Sequence, residues 1–387
     1  MRRLGVAVVG GSFMARTHSH AWRTAPRAFE LPAAVDMVAL AGRDAGRARA
    51  AAARLGWRES TDDWRSLLHR DDVDLVDVCV PGDLHEAVAV AALEAGKHVL
   101  CEKPLASSLE GAERMAAAAR AAAERGVLAM VGFSYRRVPA LALAARLVAQ
   151  GRVGDVRQVT VSYLQDWLVD PGFPLTWRLE ADRAGSGALG DLGSHAVDLV
   201  QHLTGHLLTD VVATAETFVR ERPLPTSSDG LSATGGDSLG PVTVDDTTAW
   251  LGRTDRGALV VGQVTRVAPG RKNALQVEVH GSRGSVSFDL ERLDELRLHD
   301  ATAPAEEAGV RTVHVTEPGH PYLEAWWPPG HSLGYDATFV HQAKDLVAAV
   351  VAGRQPSPSF DDGLQVQRVL EAVGRSARDH RWESVQA

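Results

Sequence analysis

Cysteine is scarce in this chain, with only Cys79 and Cys101 among 387 residues. Both lie in or beside apolar stretches, which predicts buried free thiols in a reducing cytoplasm rather than disulfides in a secreted fold. Neither is spaced with histidine as in a zinc site, so no metal is expected. The first residues enter an apolar stretch without the pattern of a cleavable signal, which agrees with a cytoplasmic location.

Basic residues and long apolar runs are also in short supply. The chain has 41 Lys and Arg against 49 Asp and Glu, for a formal net charge of -8. A nucleic-acid surface needs clustered basic residues, so this balance argues against one. The most apolar run, 115–123, is short and flanked by charges, which predicts a soluble helix rather than a membrane span. We therefore expect a small, neutral molecule as the binding partner.

The chain is too long for one comfortable hydrophobic core, so two domains are expected. In the first third, short apolar strands alternate with helical patterns. Strict alternation of this kind predicts a doubly wound parallel sheet with right-handed crossovers. We assign this α/β domain to residues 1–135. Its predicted strands and helices are 4–9, 14–23, 35–41, 45–55, 76–80, 85–95, 98–101, 109–125 and 128–133.

The pattern changes after about residue 135. Strands joined by short glycine-bearing turns predict a second, α+β domain over 136–387 with a large open, mostly antiparallel sheet. A stretch over 222–240, rich in Gly, Ser, Thr and Pro, predicts a long loop that is either mobile or part of an assembly contact. The C-terminal helix is a candidate to pack back on the first domain. The predicted elements are helices 140–149, 189–203, 338–351 and 364–378, and strands 156–164, 211–219, 247–253, 258–267, 275–280 and 285–289.

The first strand runs into a glycine-rich turn that reads GGSFMA from residue 10. This is the G-x-G-x-x-G/A pattern with Ser12 in place of the second glycine. Such a turn, followed by a helix N-terminus, offers backbone N–H groups to a pyrophosphate. A tight turn without a ligand is the alternative. The residues predicted to contact a dinucleotide here are Gly10, Ser12, Phe13 and Met14.

The end of the second strand bears on the choice between NAD and NADP. A carboxylate there would hold the ribose hydroxyls. The sequence instead has Gly42 and Arg43, and Arg43 could pair with a 2′-phosphate. Asp44 could still reach a ribose, and both side chains could equally be solvated turn residues. Either NAD or NADP is therefore expected as the cofactor.

Glu102, Lys103 and Pro104 follow a strand at its carboxyl end, where open α/β sheets bind ligands. The proline restricts Lys103 to an extended conformation, which aims the amine. A lysine there suits a carbinol or carbonyl oxygen as a hydrogen-bond donor or proton relay. The alternative is an ordinary surface charge.

Asp191 and His195 are four residues apart in a predicted helix, which places them on one face. Oxidation of a secondary alcohol needs a base near neutrality, and histidine supplies one. A carboxylate one turn away could orient the ring. A capping aspartate beside a structural histidine is the alternative interpretation.

Evidence for a sugar is softer. Tyr163, Gln165 and Trp167 point the same way at the end of a strand, and Trp177 and Arg178 follow. Tryptophan faces suit sugar C–H surfaces and glutamine suits hydroxyls. A packed aromatic face explains these residues about equally well.

Taken together, these motifs resemble the glucose–fructose oxidoreductase / inositol dehydrogenase / MocA (Gfo/Idh/MocA) family over almost the whole length. Pro81 and His85 after the third clear strand fall in the same order, and within the family the chain looks most like levoglucosan-dehydrogenase-like sugar 3-dehydrogenases. The resemblance implies an N-terminal Rossmann domain and a C-terminal domain whose sheet forms dimers or tetramers. It implies catalytic roles for Lys103, Asp191 and His195. It also implies cofactor contacts from Pro81, His85, Glu102 and Lys103, and substrate contacts from Tyr135, Gln165, Trp167, Arg178 and His195.

The resulting prediction is a cytoplasmic NAD(P)-dependent dehydrogenase that acts on a ring secondary alcohol of a sugar or cyclitol, at C3 of a pyranose or anhydrosugar. An NAD-dependent glycosidase that works through a 3-keto intermediate is the alternative, because the same Lys and His would serve it. A nucleotide-binding regulator without chemistry is a third possibility, which the three intact catalytic positions disfavour.

Overall fold

The structure is a computed structural model that describes residues 2–229 and 232–385. Contacts divide the chain into two compact units. The first is made chiefly of residues 2–134 and Tyr335–Gln367, and the second of Tyr135–Ser227, Ala233–Gly334 and 368–385. Residues 335–367 therefore group with the first unit, whereas the predicted division places all of 136–387 in the second domain.

Within the described residues, the first unit contains a six-stranded sheet in the order β3-β2-β1-β4-β5-β6, with every pair parallel. The predicted doubly wound Rossmann-type sheet is confirmed. The sequence patterns missed β3, which is only three residues long and has no buried position. The elements are β1 Arg3–Val9, α1 Phe13–Ala28, β2 Ala34–Ala41, α2 Ala45–Leu55, β3 Glu59–Thr61, β4 Leu75–Val78, α3 His85–Glu94, β5 His98–Cys101, α4 Leu109–Ala123 and β6 Ala129–Val131.

The second unit, over the part of it that is described, is built on a nine-stranded sheet in the order β16-β15-β14-β13-β7-β12-β11-β8-β17. The β7–β12 pair is parallel and the other pairs are antiparallel, which confirms the predicted large, mostly antiparallel sheet. Helices α5 and α7 pack against its strands. The remaining elements are α5 Pro139–Ala149, β7 Val156–Leu164, α6 Ala181–Ala184, α7 Ser194–Thr204, β8 Leu208–Glu216, β9 Glu221–Asp229, β10 Ser232–Pro241, β11 Thr247–Thr254, β12 Leu259–Thr265, β13 Ala274–Gly281, β14 Gly284–Asp289, β15 Glu295–Asp300, β16 Arg311–His314, α8 Ala337–Ala352, α9 Phe360–Asp379 and β17 Glu383–Ser384.

The long loop predicted over 222–240 is wrong. Strands β9 and β10 pair as a two-stranded sheet and account for the described part of this stretch, whereas residues 230 and 231 lie outside the described residues. The Thr226 hydroxyl donates to the Thr234 carbonyl at 3.1 Å, and Gly235 lies so close to the Pro223 ring that a Cβ there would crowd it. The composition lacks the apolar alternation that signals a strand, so it reads as a loop although its backbone is paired.

Helix α8 packs against α1 within the first unit. The Phe339 ring lies 5.4 Å from the His18 ring, centroid to centroid. This segment from late in the chain thus completes the core of the first unit. Across the described residues, none of the helices combines the length and the apolar character needed to cross a bilayer.

Candidate active site

The glycine-rich turn after β1 leaves room for an anionic ligand. Gly10 has φ +126°, and a Cβ there would overlap the Cys79 carbonyl, so only glycine is accommodated. Ser12 is the N-cap of α1, all of whose residues are described, yet its side chain makes no capping hydrogen bond and no acidic residue lies in the first turn. Phe13 and Met14 are half-buried beside it. The backbone N–H groups of this turn are therefore suited to a pyrophosphate.

Two residues after β2, Arg43 and Asp44, have different environments. Asp44 is the N-cap of α2, and its Oδ1 accepts a hydrogen bond from Arg47 N at 2.7 Å. Arg43 is exposed. One oxygen of Asp44 is thus used by the helix, and Arg43 is open to solvent at the point where a ribose would lie.

A buried polar cluster that sequence reasoning missed lies beneath the nucleotide turn. His18 Nδ1 lies 2.9 and 3.0 Å from the two carboxylate oxygens of Asp77, and its Nε2 lies 3.0 Å from Glu102 Oε1. Trp22 Nε1 donates to Asp77 at 2.7 Å. All four side chains are at least nine-tenths buried. The only sequence signal was the position of His18, one turn after the glycine motif.

Burial and charge in this region shift the pKa values of His18, Cys79 and Cys101. Burial disfavours a charged His18, but attraction to Asp77, the hydrogen bond to Asp77 and the interaction with Cys79 together outweigh it and raise the pKa of the imidazole well above its usual range. Burial raises the pKa of the Cys79 and Cys101 thiols. The predicted buried free thiols are confirmed, and both stay protonated near neutral pH. His18, Asp77 and Cys79 are close enough to hold a metal ion, but the hydrogen bonds described above already use the His18 and Asp77 atoms.

Glu102 links the buried cluster to Lys103. Its Oε1 faces His18, while its Oε2 accepts from Lys103 N at 3.3 Å. Gly132 lies against this carboxylate, where a Cβ would be 2.7 Å from Glu102 Oε1. Lys103 itself is half-buried at the carboxyl edge of the sheet. The motif therefore consists of a buried acid, Glu102, and the following Lys103, whose main-chain N–H donates to that acid.

The His85 side chain is buried and contacts main-chain carbonyls of two loops. Its ring nitrogens lie 2.9 Å from the Pro104 carbonyl and 3.0 Å from the Val80 carbonyl, and the residue is 2% exposed. Burial lowers the pKa of His85. A bond from its ring to a cofactor would displace one of these contacts. The structure therefore assigns His85 to holding the Pro104 loop, next to the half-buried Pro81.

In the second unit, Asp191 and His195 lie on one continuous helical segment. Leu189–Gly193 forms a π-helical turn, and α7 begins directly after it. The predicted helix over 189–203 is thus correct in place, with a wider first turn. His195 is 8% exposed, and its ring lies 4.5 Å from that of Tyr135, tilted by 37°. Wide turns of this type are frequent at functional sites.

A chain of hydroxyl and amide groups runs beside this histidine. The Tyr135 and Tyr163 hydroxyls lie 2.8 Å apart, and Tyr163 donates to Asn273 Oδ1 at 2.7 Å. Gln165 Nε2 donates to the same oxygen at 2.7 Å, and Gln165 Oε1 accepts from Trp167 Nε1 at 2.9 Å. Three of the predicted substrate residues therefore join one network. Asn273, in the turn between β12 and β13, escaped sequence reasoning because nothing near it in the chain marks it.

Arg178 is the remaining predicted substrate residue. Its guanidinium lies 4.5 Å from the Trp177 ring centroid. Burial lowers the pKa of Arg178, and the negative charge of Asp191 opposes that shift. A second arginine, the buried Arg266, lies nearby. Its guanidinium is 5.6 Å from the Trp167 ring centroid. Arg178 and Arg266 thus both lie close enough to Asp191 to feel its negative charge.

Two family models together match most of the chain. Residues 4–133 match the model of an oxidoreductase family with an NAD-binding Rossmann fold, and residues 141–287 match that of the GFO/IDH/MocA C-terminal domain. The chain belongs to the Gfo/Idh/MocA family. It is an oxidoreductase with an NAD-binding domain, as the motifs predicted.

Relatives in the Gfo/Idh/MocA family match over the full length. Levoglucosan dehydrogenase of Pseudarthrobacter phenanthrenivorans is 40% identical over 390 residues, which cover 100% of this chain and 99% of that protein. An oxidoreductase domain protein from Kribbella flavida has a solved structure with 54% identity, a TM-score of 0.96 and full coverage of both chains. A levoglucosan dehydrogenase in complex with NADH and levoglucosan shows 40% identity, a TM-score of 0.93 and full coverage of both chains.

Proposed function

We propose that this family member transfers a hydride between a nicotinamide cofactor and a ring secondary alcohol of a sugar or cyclitol. The proposed carbon is C3 of a pyranose or anhydrosugar. The observation that carries the proposal is the placement of His195 against Tyr135, within an aromatic network rich in hydroxyl and amide groups. A base beside such a network suits a polyhydroxylated ring.

Each catalytic residue has a distinct role in this proposal. His195 accepts the hydroxyl proton, Asp191 orients the imidazole and stabilises its charged form, and Lys103 donates a hydrogen bond to the reacting oxygen. A bound nicotinamide supplies the hydride chemistry. Lys103 is suited to its part because Glu102 fixes its main chain at the sheet edge.

Recognition of a sugar is assigned to the second unit. The Trp167 ring supplies an apolar face, while Tyr135, Gln165 and Arg178 supply polar groups. Phe173 supports Trp167, with ring centroids 5.2 Å apart at 78°. The relative with a solved structure in complex with NADH and levoglucosan supports an anhydrosugar as the first substrate to test.

For the cofactor, we propose NAD as the main partner, with NADP accepted through Arg43. The free side of the Asp44 carboxylate suits a ribose, and the exposed guanidinium suits a 2′-phosphate. We expect Arg43→Ala to lower kcat/KM for NADP about tenfold, as for loss of one charged hydrogen bond, and to leave NAD nearly unchanged. Steady-state kinetics with both cofactors measure this. Equal losses for the two would contradict the role given to Arg43.

The experiment that tests the function is absorbance at 340 nm with levoglucosan, pyranoses and inositols, run separately with NAD and NADP. We expect one substrate class to reduce the cofactor, with a 3-keto sugar as the product. Release of an aglycone without net NADH would assign a redox-neutral glycosidase instead.

Lys103→Ala and His195→Ala are the matching variants. Each should lower kcat by a factor of about 10² to 10⁴, the range of a general acid–base group, with circular dichroism unchanged. Near-normal turnover in either variant would remove that residue from the mechanism.

A further inference from the structure

The segment that carries Asp191 begins against one carboxylate, that of Asp245. Asp245 Oδ1 accepts from Gly187 N at 2.7 Å, and its Oδ2 accepts from Leu189 N at 2.8 Å. The Thr248 hydroxyl donates to Oδ2 at 2.9 Å. Two N–H groups at the start of the helical segment, which have no partner within it, are satisfied by this one side chain.

The main chain of Asp245 tightens the same contact. Its carbonyl accepts from Ala188 N at 3.0 Å and from the Arg266 guanidinium at 3.1 Å. A Cβ on Gly187 would overlap this carbonyl, so the glycine allows the two backbones to touch. Both side-chain oxygens and the carbonyl of Asp245 therefore hold three successive residues, 187–189.

We propose that Asp245 is a positioning residue that sets the place of Asp191 and His195. This inference rests on the proposed catalytic roles of those two residues. Asp191 lies in the wide turn that starts at Leu189, and α7 with His195 continues from it. Loss of the anchoring carboxylate would let the turn shift, and a shift of about 1 Å costs about 10²-fold in rate.

The chain offers a matched control in the next residue. Asp246 is fully buried, and its Oδ2 accepts from Phe218 N at 2.8 Å and from Val219 N at 3.0 Å. It thus performs the same anchoring for the connection between β8 and β9, which contains no proposed catalytic residue. Substitution of Asp246 reports the cost of losing a similar anchor elsewhere in the same unit.

The experiment compares Asp245→Ala, Asp245→Asn and Thr248→Val with Asp246→Asn in the full chain. The readouts are kcat and KM with levoglucosan, Kd for NADH, and hydrogen exchange of a peptide over 187–193. We expect Asp245→Ala to lower kcat about 10² -fold with the NADH Kd changed less than about twofold. Asp245→Asn, which retains one acceptor oxygen, should recover part of that loss. Exchange over 187–193 should accelerate in the Asp245 variants and not in Asp246→Asn.

Two results would overturn the inference. In the first, Asp245→Ala keeps the kcat and the hydrogen exchange of the wild type while His195→Ala is inactive. That result would leave the proposed function intact. The other is an equal fall in kcat for the Asp245 and Asp246 variants, which would make Asp245 a general structural anchor. If Asp245→Ala does not fold, the same comparison is made with Asp245→Asn and Thr248→Val. Activity in His195→Ala would instead reject the proposed function, and the exchange result would stand by itself.

Discussion

At the scale of single residues, His18 is the side chain that joins two buried carboxylates. It lies between two buried carboxylates, with one within 3.0 Å of each ring nitrogen. A neutral imidazole can donate from only one nitrogen, so a cation satisfies both partners. The raised pKa of His18 agrees with this geometry.

We expect His18→Leu to destabilise the fold by about 3 to 5 kcal/mol, because it leaves buried carboxylates without their partner. His20→Leu is the control. His20 pairs with Asp336 at 3.2 Å on a more exposed surface, and its loss should cost about 0 to 1 kcal/mol. Urea unfolding measures both, and a similar small cost for the two would contradict a charged His18.

The interaction of His18 with the buried carboxylates also predicts that the stability of the fold depends on pH. Because the pKa of His18 is raised on folding, its stabilising contribution is complete below the unfolded value of about 6.5. It is lost as the pH rises through the folded value. The difference in unfolding free energy between wild type and His18→Leu should therefore narrow as the pH is raised above about 6.5. A difference that widens would show the opposite shift.

Several of the proposed site residues were predictable because the chain marks them locally. Lys103 sits between an acid and a proline at a strand end, and His195 lies one turn from Asp191. His18, Asn273 and Asp245 were not, because each acts on a partner that is distant in sequence. His18 meets carboxylates 59 and 84 residues away, for example.

At the scale of elements, the turn between β1 and α1 combines two glycines with different duties. Gly10 has a positive φ and touches the Cys79 carbonyl, whereas a Cβ on Gly11 would find only Ala51 Cβ, at 3.9 Å. We expect Gly10→Ala to lower the melting temperature of the cofactor-free protein and to abolish NADH binding. Gly11→Ala should leave the melting temperature nearly unchanged. Calorimetry and NADH fluorescence titration measure the two effects, and equal melting temperatures for both variants would refute the distinction.

Most elements were predicted from periodicity, and the main failure has a physical origin. Central strands of the first sheet such as β4 and β5 are short, largely apolar runs, since both faces are buried. Strands β9 and β10, by contrast, carry proline, glycine and serine and hold together through pairing with each other. Pairing is a property of two segments, so the composition of either segment gives no sign of it.

At the scale of the whole molecule, we propose that the chain forms a dimer or tetramer through the large sheet. Leu251 on β11 is 43% exposed and lies across from Val212 on β8 and Val261 on β12. This apolar row lies on the face of β11 opposite the buried residues Trp250 and Gly252. An exposed leucine between two half-buried valines is suited to a subunit contact.

We expect Leu251→Glu to lower the mass of the assembly, because it would bury a charge at the contact. Leu207→Glu, at another exposed leucine outside the sheet strands, is the control and should leave the mass unchanged. Light scattering after size-exclusion chromatography measures both. An unaltered mass for Leu251→Glu would remove this face from the assembly.

The burial of Cys79 and Cys101 has a practical consequence for work on the two units. Both thiols are enclosed and held protonated, so maleimides and iodoacetamides will find almost no native target. A single cysteine introduced on an exposed helix position becomes the sole addressable handle. A fluorophore or spin label can therefore be attached at one chosen place per chain without replacing any native residue.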